Sequence, residues 1–490
     1  MVTPTGAIGA HALARRLGAW RPTGPRPLYL ALADGLRVLL LDGRVPVGTA
    51  VPSERALADA LEVSRTTVAG AYAVLRDGGH LQSRQGARSV LVLPVDVPAE
   101  PFDNGSEADR HRLNIAAPSA PDQVVHEAYR YALDAAPAYL TGPGVYPQGL
   151  RGLAETVARR YVDRGLPTRP EQILVTAGAQ HGLRVVLDTL VAAGERVVVE
   201  SPTYSGTLQA ISRARARAVA LPLDAEHGWD LDHLESILRL QRPRLVCLIV
   251  DFHNPTGLLL DIAGRIRLGE LSARYGVPIV IDETLVELGL DRDAPPPVAS
   301  FAPPGAQIIT LGSTSKTVWS GLRVGWIRTA TPPDAFAVAR YDLGVSGAVM
   351  DQLAAAYALE RLGEFLPDRL ASLRTSRAVA REAIDDALPG ATTIPGVGGL
   401  CLWVRLPRPA ATATAAAAAD LGVRLTPGSG FTVVGGLDRF IRIPYTLPVV
   451  ELRAAVDLVG QAYRRVVGDA GTSSRAGSEV PDGLATRLVV

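Results

Sequence analysis

Between residues 112 and 467 short apolar runs alternate with stretches of helical periodicity, the pattern of a mostly parallel sheet covered by helices. The residues at the end of each run narrow the fold further. Ile173–Thr176 leads into Ala177, Gly178, Ala179 and Gln180 and then a helical stretch, and the run 196–200 leads into Ser201 and Tyr204. Run 245–250 leads into Asp251 and Asn254, 277–281 ends at Asp282, and 308–311 leads into Ser313, Ser315 and Lys316. Ligands of open α/β sheets gather beyond the carboxyl ends of the strands. Five successive strands are therefore expected to bring polar groups to one edge.

Lys316 is the one lysine in the chain; the other 49 basic residues are arginines. An ammonium can lose its proton and attack a carbonyl, which a guanidinium cannot do. A lone lysine can equally be a leftover of compositional bias, so its surroundings must decide. The polar groups around it match the needs of pyridoxal phosphate. The aldehyde needs an amine, Lys316; the pyridine nitrogen needs an anion, Asp282; the ring oxygen needs a donor, the Asn254 amide. The phosphate needs backbone N–H groups at a helix start plus a cation, which Gly178, Ala179 and Gln180 with Ser313 and Arg323 supply, and Tyr204 can stack on the ring. Each residue alone has a plain structural reading as a turn, a cap or a core aromatic. Their order and their common position at strand ends favour a cofactor site.

The chain has 490 residues, 47% hydrophobic and 20% charged, which excludes a disordered or fibrous protein and suggests two to four domains. Its net charge of +1 is unevenly spread, with a surplus of +5 over residues 1–93 and −4 over the rest. A basic end on a mildly acidic body hints at nucleic acid. Cys247 and Cys401 lie in apolar runs, so a reduced core role is expected, with no disulfide framework and no metal site. No apolar run approaches the roughly 20 residues of a membrane helix, and the Arg15-Arg16 pair lacks the apolar segment of an export signal. A cytoplasmic protein is expected.

The basic end reads as three helices and a hairpin. Leu32, Leu36, Leu39 and Leu40 recur at helical spacing; Ser53 caps a second helix with Leu57 and Leu61 inward; Ser64 caps a third with Val68, Tyr72 and Leu75 inward, ended by Gly78-Gly79. Two short helices joined by a tight turn, the second exposing Arg65, Thr66 and Thr67 in its first turn, make a helix-turn-helix able to enter a major groove. A hairpin around residues 85–87, with Arg84 and Arg88 near its tip, adds a basic wing.

Residues 52–68 (PSERALADALEVSRTTV) resemble the winged-helix DNA-binding domain of GntR-family regulators. The resemblance implies that Arg55, Arg65, Thr66, Thr67 and the wing around Gly86 touch DNA, and that Ser64 is shared between capping and a phosphate. Residues from about 112 to 465 look like a fold-type I, class I aminotransferase. Joined to the head, they are similar to MocR/GabR-type regulators: SKTVWSGLRVG (315–325) matches the family's lysine region, with Ser315 beside Lys316 and Arg323 at the phosphate position, and FIRIP (440–444) matches the segment whose arginine, here Arg442, holds a substrate carboxylate.

The expected organisation is an N-terminal extension (1–26), a winged helix-turn-helix (27–93), a linker (94–111), an aminotransferase-like domain of mostly parallel sheet with a smaller C-terminal α+β part (112–467), and a tail (468–490). Two departures from the family stand out. Thr284 takes the place of a tyrosine whose hydroxyl meets the ring oxygen, which puts efficient transamination in doubt; and Gly144 and Tyr146 fall out of register in a Tyr-x-Asp-Pro-x-Gly element, leaving Tyr146 unassigned. The expected function is a regulator that binds a double-stranded operator, carries pyridoxal phosphate on Lys316 and senses an amino acid, an amine or the cofactor itself, as a homodimer. The alternatives are a working aminotransferase with an accessory head and a DNA-binding protein with an inert scaffold.

Overall fold

The computed structural model describes residues 6–18, 20–21, 27–41, 44–82, 88–92 and 111–472. In the head, α1 (Ala10–Leu17), α2 (Leu28–Leu41), α3 (Glu54–Leu61) and α4 (Arg65–Asp77) surround one apolar cluster. The four leucines of α2, Leu57 and Leu61 of α3, and Val68, Tyr72 and Leu75 of α4 are all buried in it. Ser53 accepts from the Ala56 N–H and Ser64 from the Thr67 N–H, so both expected caps form. The strands β1 (Gly6–Ala7), β2 (Thr49–Ala50), β3 (Leu81–Gln82) and β4 (Val90–Leu91) line up as β1-β2-β4-β3, with β3 and β4 antiparallel as the base of the wing. Arg84 and Gly86 lie outside the described residues, as do most of the expected linker and the chain beyond 472.

The described residues 6–18 and 20–21 of the expected extension pack with the head. The chain from β1 to α1 pairs Gly6 and Ala7 with β2, buries Leu13 completely and packs α1 on α3. Arg21 donates from Nη2 to the carbonyls of Leu61 (3.0 Å) and Glu62 (3.2 Å), which closes the carbonyl end of α3 at the helix-turn-helix turn. The small and basic residues of 10–17 hide the helical spacing in the sequence.

In the body, β5 (His111–Arg112) precedes the large sheet, whose strands are β6 (Ile173–Thr176), β7 (Arg196–Ser201), β8 (Arg217–Asp224), β9 (Gly228–Trp229), β10 (Leu245–Leu248), β11 (Ile279–Asp282), β12 (Ile308–Ser313) and β13 (Gly325–Arg328). Their order is β6-β13-β12-β11-β10-β7-β8-β9, with β13 antiparallel to both neighbours and β9 antiparallel at the edge. Strands buried on both faces read as unbroken apolar runs. Val198, Val246, Ile279 and Ile281 pack on one side with Leu234, Ile237 and Leu268; Val197, Val199, Cys247 and Val280 pack on the other with Leu183, Val186 and Ile211. Chain order reverses between the neighbours β7 and β10, a switch point that opens a crevice at the carboxyl edge.

A second antiparallel sheet, β14 (Thr392–Thr393), β15 (Cys401–Arg405), β17 (Thr426–Pro427) and β18 (Phe440–Pro444), has the order β14-β15-β18-β17, with β16 (Val423–Arg424) pairing β5 outside it. It packs with helices Leu362–Ala387, Ala411–Ala419 and Val449–Thr472 around its own core. The last helix runs through Gly468 to Thr472, past the point where the tail was expected to start.

Because Leu13 is wholly enclosed by head residues, Leu13→Ala is expected to destabilise the head by about 2–5 kcal/mol. Scanning calorimetry of the full chain should show the head transition moving down in temperature and the body transition staying in place; an unmoved head transition would remove α1 from the head's core.

Candidate functional site

A cavity of about 820 Å³ opens at the carboxyl edge of the large sheet and reaches the small subdomain. The loops after all five strands named from the sequence contribute to it: Ala179 and Gln180 after β6, Tyr204 after β7, Asn254 after β10, Asp282 and Thr284 at β11, and Ser313, Ser315 and Lys316 at β12. Arg323 and Arg442 complete the polar lining. Gly178 stands just behind it as the N-cap of helix Ala179–Leu190.

The Lys316 amine donates to the Ala116 carbonyl at 2.7 Å. Burial, aided by the Arg442 and Arg323 guanidiniums, holds its pKa below that of an ordinary lysine. A larger neutral fraction makes a better nucleophile. Burial has the opposite effect on the Asp282 carboxyl, raising its pKa against the pull of two hydrogen bonds from Thr284 and of the Lys316 charge. Those bonds come from the Thr284 backbone N–H (2.9 Å) and its hydroxyl, both to Oδ1. The hydroxyl that replaces the family's tyrosine is thus turned onto the aspartate. Asn254 Oδ1 lies 3.7 Å from Cys401 Sγ, so Cys401 forms part of the cavity wall as well as the core.

At the other end of the cavity the backbone forms a cradle. Gly178 has φ +91°, and a side chain there would press on the Arg323 guanidinium, 3.3 Å from the position of a Cβ. A Cβ on Gly325 would stand 2.7 Å from the Gly178 Cα and from the Gly312 carbonyl, so β13 can approach only as glycine. Arg323 Nη2 donates to Ala177 O at 2.9 Å, Ser313 and Ser315 hydroxyls meet at 2.8 Å, and Ser320 donates to Ser315 O at 2.9 Å. Together with the first N–H groups of helix Ala179–Leu190 these donors and the guanidinium suit a phosphate. Gly206 leaves room for the Tyr204 ring and the Gln180 amide, which a Cβ would meet at 2.4 and 2.7 Å.

Arg442 sits in the middle of the small sheet, on β18 between β15 and β17, and is 4% exposed. It donates from Nη2 to the Asn114 carbonyl and lies over the Phe431 ring, while its buried Nε has no partner. A buried N–H without an acceptor is costly. An acceptor entering the cavity, such as a carboxylate oxygen, would satisfy it.

Sequence reasoning missed several wall residues. Asn114, Ala116, Gln209, Ser320, Arg112 and Arg424 all line the cavity, and Arg112 and Arg424 stand in register across β5 and β16. Glu200, fully buried at the end of β7, accepts from the Ile249 N–H (2.6 Å), the Trp229 indole (3.3 Å) and the Thr203 hydroxyl (3.2 Å). Tyr146 lies outside the cavity lining and packs edge-on against Tyr139.

On the head, Arg55, Ser64, Arg65, Thr66 and Arg88 are exposed and Thr67 is half-buried. Ser64 Oγ contacts the hydroxyls of Thr66 (2.7 Å) and Thr67 (2.8 Å) as well as capping α4. Arg65 forms a 3.4 Å ion pair with Glu54 while most of its side chain stays in solvent. Among the described residues no helix is long and apolar enough to cross a membrane.

Comparisons with known proteins agree with both halves. Residues 121–459 match the family "Aminotransferase class I and II", and residues 28–91 match "Bacterial regulatory proteins, gntR family". The HTH-type transcriptional regulator YisV of Bacillus subtilis is 30% identical over 64% of this chain and 70% of its own length. The probable rhizopine catabolism regulatory protein MocR of Rhizobium meliloti is 28% identical over 63% of this chain and 66% of its own. The crystal structure of LysN, the alpha-aminoadipate aminotransferase of Thermus thermophilus complexed with N-(5'-phosphopyridoxyl)-L-leucine, superposes with a TM-score of 0.67 at 26% identity, covering 73% of this chain and 92% of that one.

Burial raises Glu200 from the ordinary 4.5 to about 7 against its three hydrogen bonds. The folded state then binds the extra proton between those values, so its stabilising effect is complete below pH 4.5 and lost as pH rises through 7. A shift of this size corresponds to about 3 kcal/mol. Denaturant titrations at pH 5 and pH 8 should show a fall of that order in the wild type that is absent in Glu200→Gln; equal pH dependence in the two would put the proton elsewhere.

Proposed function

This chain belongs to the class I and II aminotransferases and, with its gntR-family head, is a MocR-type HTH transcriptional regulator; from that premise we propose that it binds duplex DNA through α3, α4 and the wing, and holds pyridoxal phosphate on Lys316 in a body that senses an amino acid or amine. The observation that carries the cofactor reading is the convergence of the one lysine and an aspartate, both half-buried, with a guanidinium in one cavity backed by a glycine cradle. The residues fit the group. Lys316 would hold its aldehyde carbon, Asp282 its ring nitrogen, Asn254 its ring oxygen and Tyr204 its face. Gly178, Ala179, Gln180, Ser313, Ser315 and Arg323 would hold its phosphate. When bound, pyridoxal phosphate supplies an aldehyde that captures amines and a ring that withdraws electrons from them.

The chain's own residues then define the ligand. Arg442 offers two N–H groups in one plane to a carboxylate, with Nε buried and awaiting an acceptor. A ligand amine reaching Lys316 while its carboxylate rests on Arg442 would bridge the large sheet and the small subdomain, since Lys316 follows β12 of the one and Arg442 lies on β18 of the other. Differential affinity for two arrangements of these parts is what a sensor needs. The Thr284 hydroxyl is committed to Asp282, which leaves the ring oxygen without the family's tyrosine donor and favours sensing over turnover. Rapid keto-acid release from a panel of amino acids would support the working aminotransferase instead.

A cytoplasmic homodimer completes the reading. Leu133, Leu140, Val145, Tyr341, Leu343 and Val345 are exposed, and the Ser346 hydroxyl donates to Gly144 O at 3.4 Å, which brings the loops carrying Val145 and Val345 together as part of an apolar surface. Such a face is suited to a second copy of the chain.

Borohydride treatment with added pyridoxal phosphate is expected to leave one phosphopyridoxyl adduct on Lys316, found by peptide mass spectrometry, and none in Lys316→Ala. An adduct confined to the amino terminus would end the cofactor reading. Arg65→Ala should weaken operator binding about tenfold, roughly 1.4 kcal/mol, with cofactor uptake unchanged; an unchanged gel-shift midpoint would remove Arg65 from the DNA contact.

A further inference from the structure

The edge of the large sheet opposite the cavity carries a concentration of charge that neither the cofactor nor the ligand uses. Arg196, Arg213, Arg215, Arg217, Arg239, Arg242 and Arg244 are all exposed there, with Glu195 the acid among them. Arg196 and Arg217 are in register on β7 and β8, and the Arg244 N–H donates to the Arg196 carbonyl at 2.8 Å. The Gly194 N–H donates to Arg215 O, and Arg196 Nη1 donates to Gln241 O at 3.3 Å, which brings the flanking loops to the same row. A cleft of about 810 Å³ lined by Arg196, Arg239, Arg242 and Arg244 runs through the cluster.

Among the described residues none of the seven forms an ion pair. Their neighbours Arg267 and Arg274 are both paired, with Glu235. Basic residues near helix carboxyl ends have an ordinary explanation in the helix dipole, and that covers Arg213 and Arg239, which sit in the last turns of helices Ser205–Arg213 and Leu231–Gln241. It extends to Arg242, the C-cap of the second helix, and to Arg215, just past the cap of the first, but not to Arg196, Arg217 and Arg244, which lie at strand starts. Arg215 and Arg242 adopt φ +57° and +45°, the left-handed conformation in which these two helices end. The body as a whole has an acidic surplus, so this edge departs from its own background.

We propose that this arginine edge of the body is a second contact surface for the phosphate backbone of the duplex DNA bound by the head. The inference rests on the DNA-binding reading of the head. Adjacent strands are about 4.8 Å apart, so Arg217, Arg196 and Arg244 span about 10 Å, and the loop arginines extend the row on both sides. Duplex DNA presents one charge per about 1.7 Å of axis, which matches an extended row better than a small anion does. An acidic protein would call for apolar anchors, and single-stranded nucleic acid for stacking rings. The one ring in the cleft, Tyr275, has its hydroxyl bound to Glu235.

Salt-dependent binding of the full chain to a mixed-sequence 150-bp duplex tests this, using Arg213→Gln, Arg217→Gln and Arg239→Gln together; no side-chain hydrogen bond involves these three among the described residues. Affinity should fall by on the order of tenfold at 0.1 M salt, and the slope of log affinity against log salt should drop by about 2 to 3, near 0.9 per lost phosphate contact. The matching triple lysine variant should keep both. Wild-type affinity and slope in the glutamine variant, or equal loss in the lysine variant, overturn the proposal; so does loss of transfer-RNA or heparin binding with duplex binding intact. If wild type binds duplex and Arg65→Ala weakens it, such a result leaves the head's role standing. Absence of any duplex binding by wild type would instead bring down the regulator reading itself.

Discussion

A parallel sheet covered on both faces can present polar side chains only at its two edges, and the placement of most of the chemically useful groups in this body depends on that. Residues within the strands are committed to packing, as the opposite-facing valines 197 and 198 show. The carboxyl edge collects Lys316, Asp282, Asn254, Tyr204 and the helix start at Gly178. The opposite edge collects the strand-leading arginines. One architectural rule thus separates a half-buried cluster of reactive groups from an exposed field of charge.

Electrostatics within the cavity reinforce the geometry. Desolvation, with the two nearby guanidiniums of Arg442 and Arg323, holds the pKa of the Lys316 amine below that of an ordinary lysine. Each guanidinium is anchored by a backbone carbonyl, Ala177 for Arg323 and Asn114 for Arg442. Those anchors come from different parts of the chain. Arg323 belongs to the large sheet's loop and Arg442 to the small sheet, so a ligand that contacts both ends reads the distance between two packed units. The same separation that shapes specificity provides a lever for conformational change.

Much of this was legible in the sequence for a physical reason. Parallel strands are short, uniformly apolar and punctuated by glycine or a polar residue, so β6, β7, β10, β11 and β12 and the groups after them could be read directly; so could the Ser53 and Ser64 caps, whose signal is local. The parts that could not be read depend on contacts distant in sequence. Arg112 and Arg424 meet only because β5 pairs β16 across some 310 residues. Ala116 is identified only by the lysine that bonds it. Helix α1 carries mostly alanine and arginine, and its role becomes visible only when Leu13 is seen inside the head. The helix from Val449 passes through Gly468 because one exposed glycine costs only about 1 kcal/mol in a helix already held by its packed face.

Thr284 shows how one replacement redistributes a site. A tyrosine in its place would extend toward the ring oxygen; the shorter hydroxyl folds back and, with its own N–H, gives Asp282 Oδ1 two donors. These bonds favour the charged aspartate that burial disfavours, so they would help keep a counter-ion available for a bound cofactor's ring nitrogen. On the proposed reading, a site arranged in this way would hold a cofactor and lack one donor that favours turnover. The exchange suits a protein whose output is a change in DNA affinity, since a regulator must bind its ligand reversibly and a rapid enzyme would consume it.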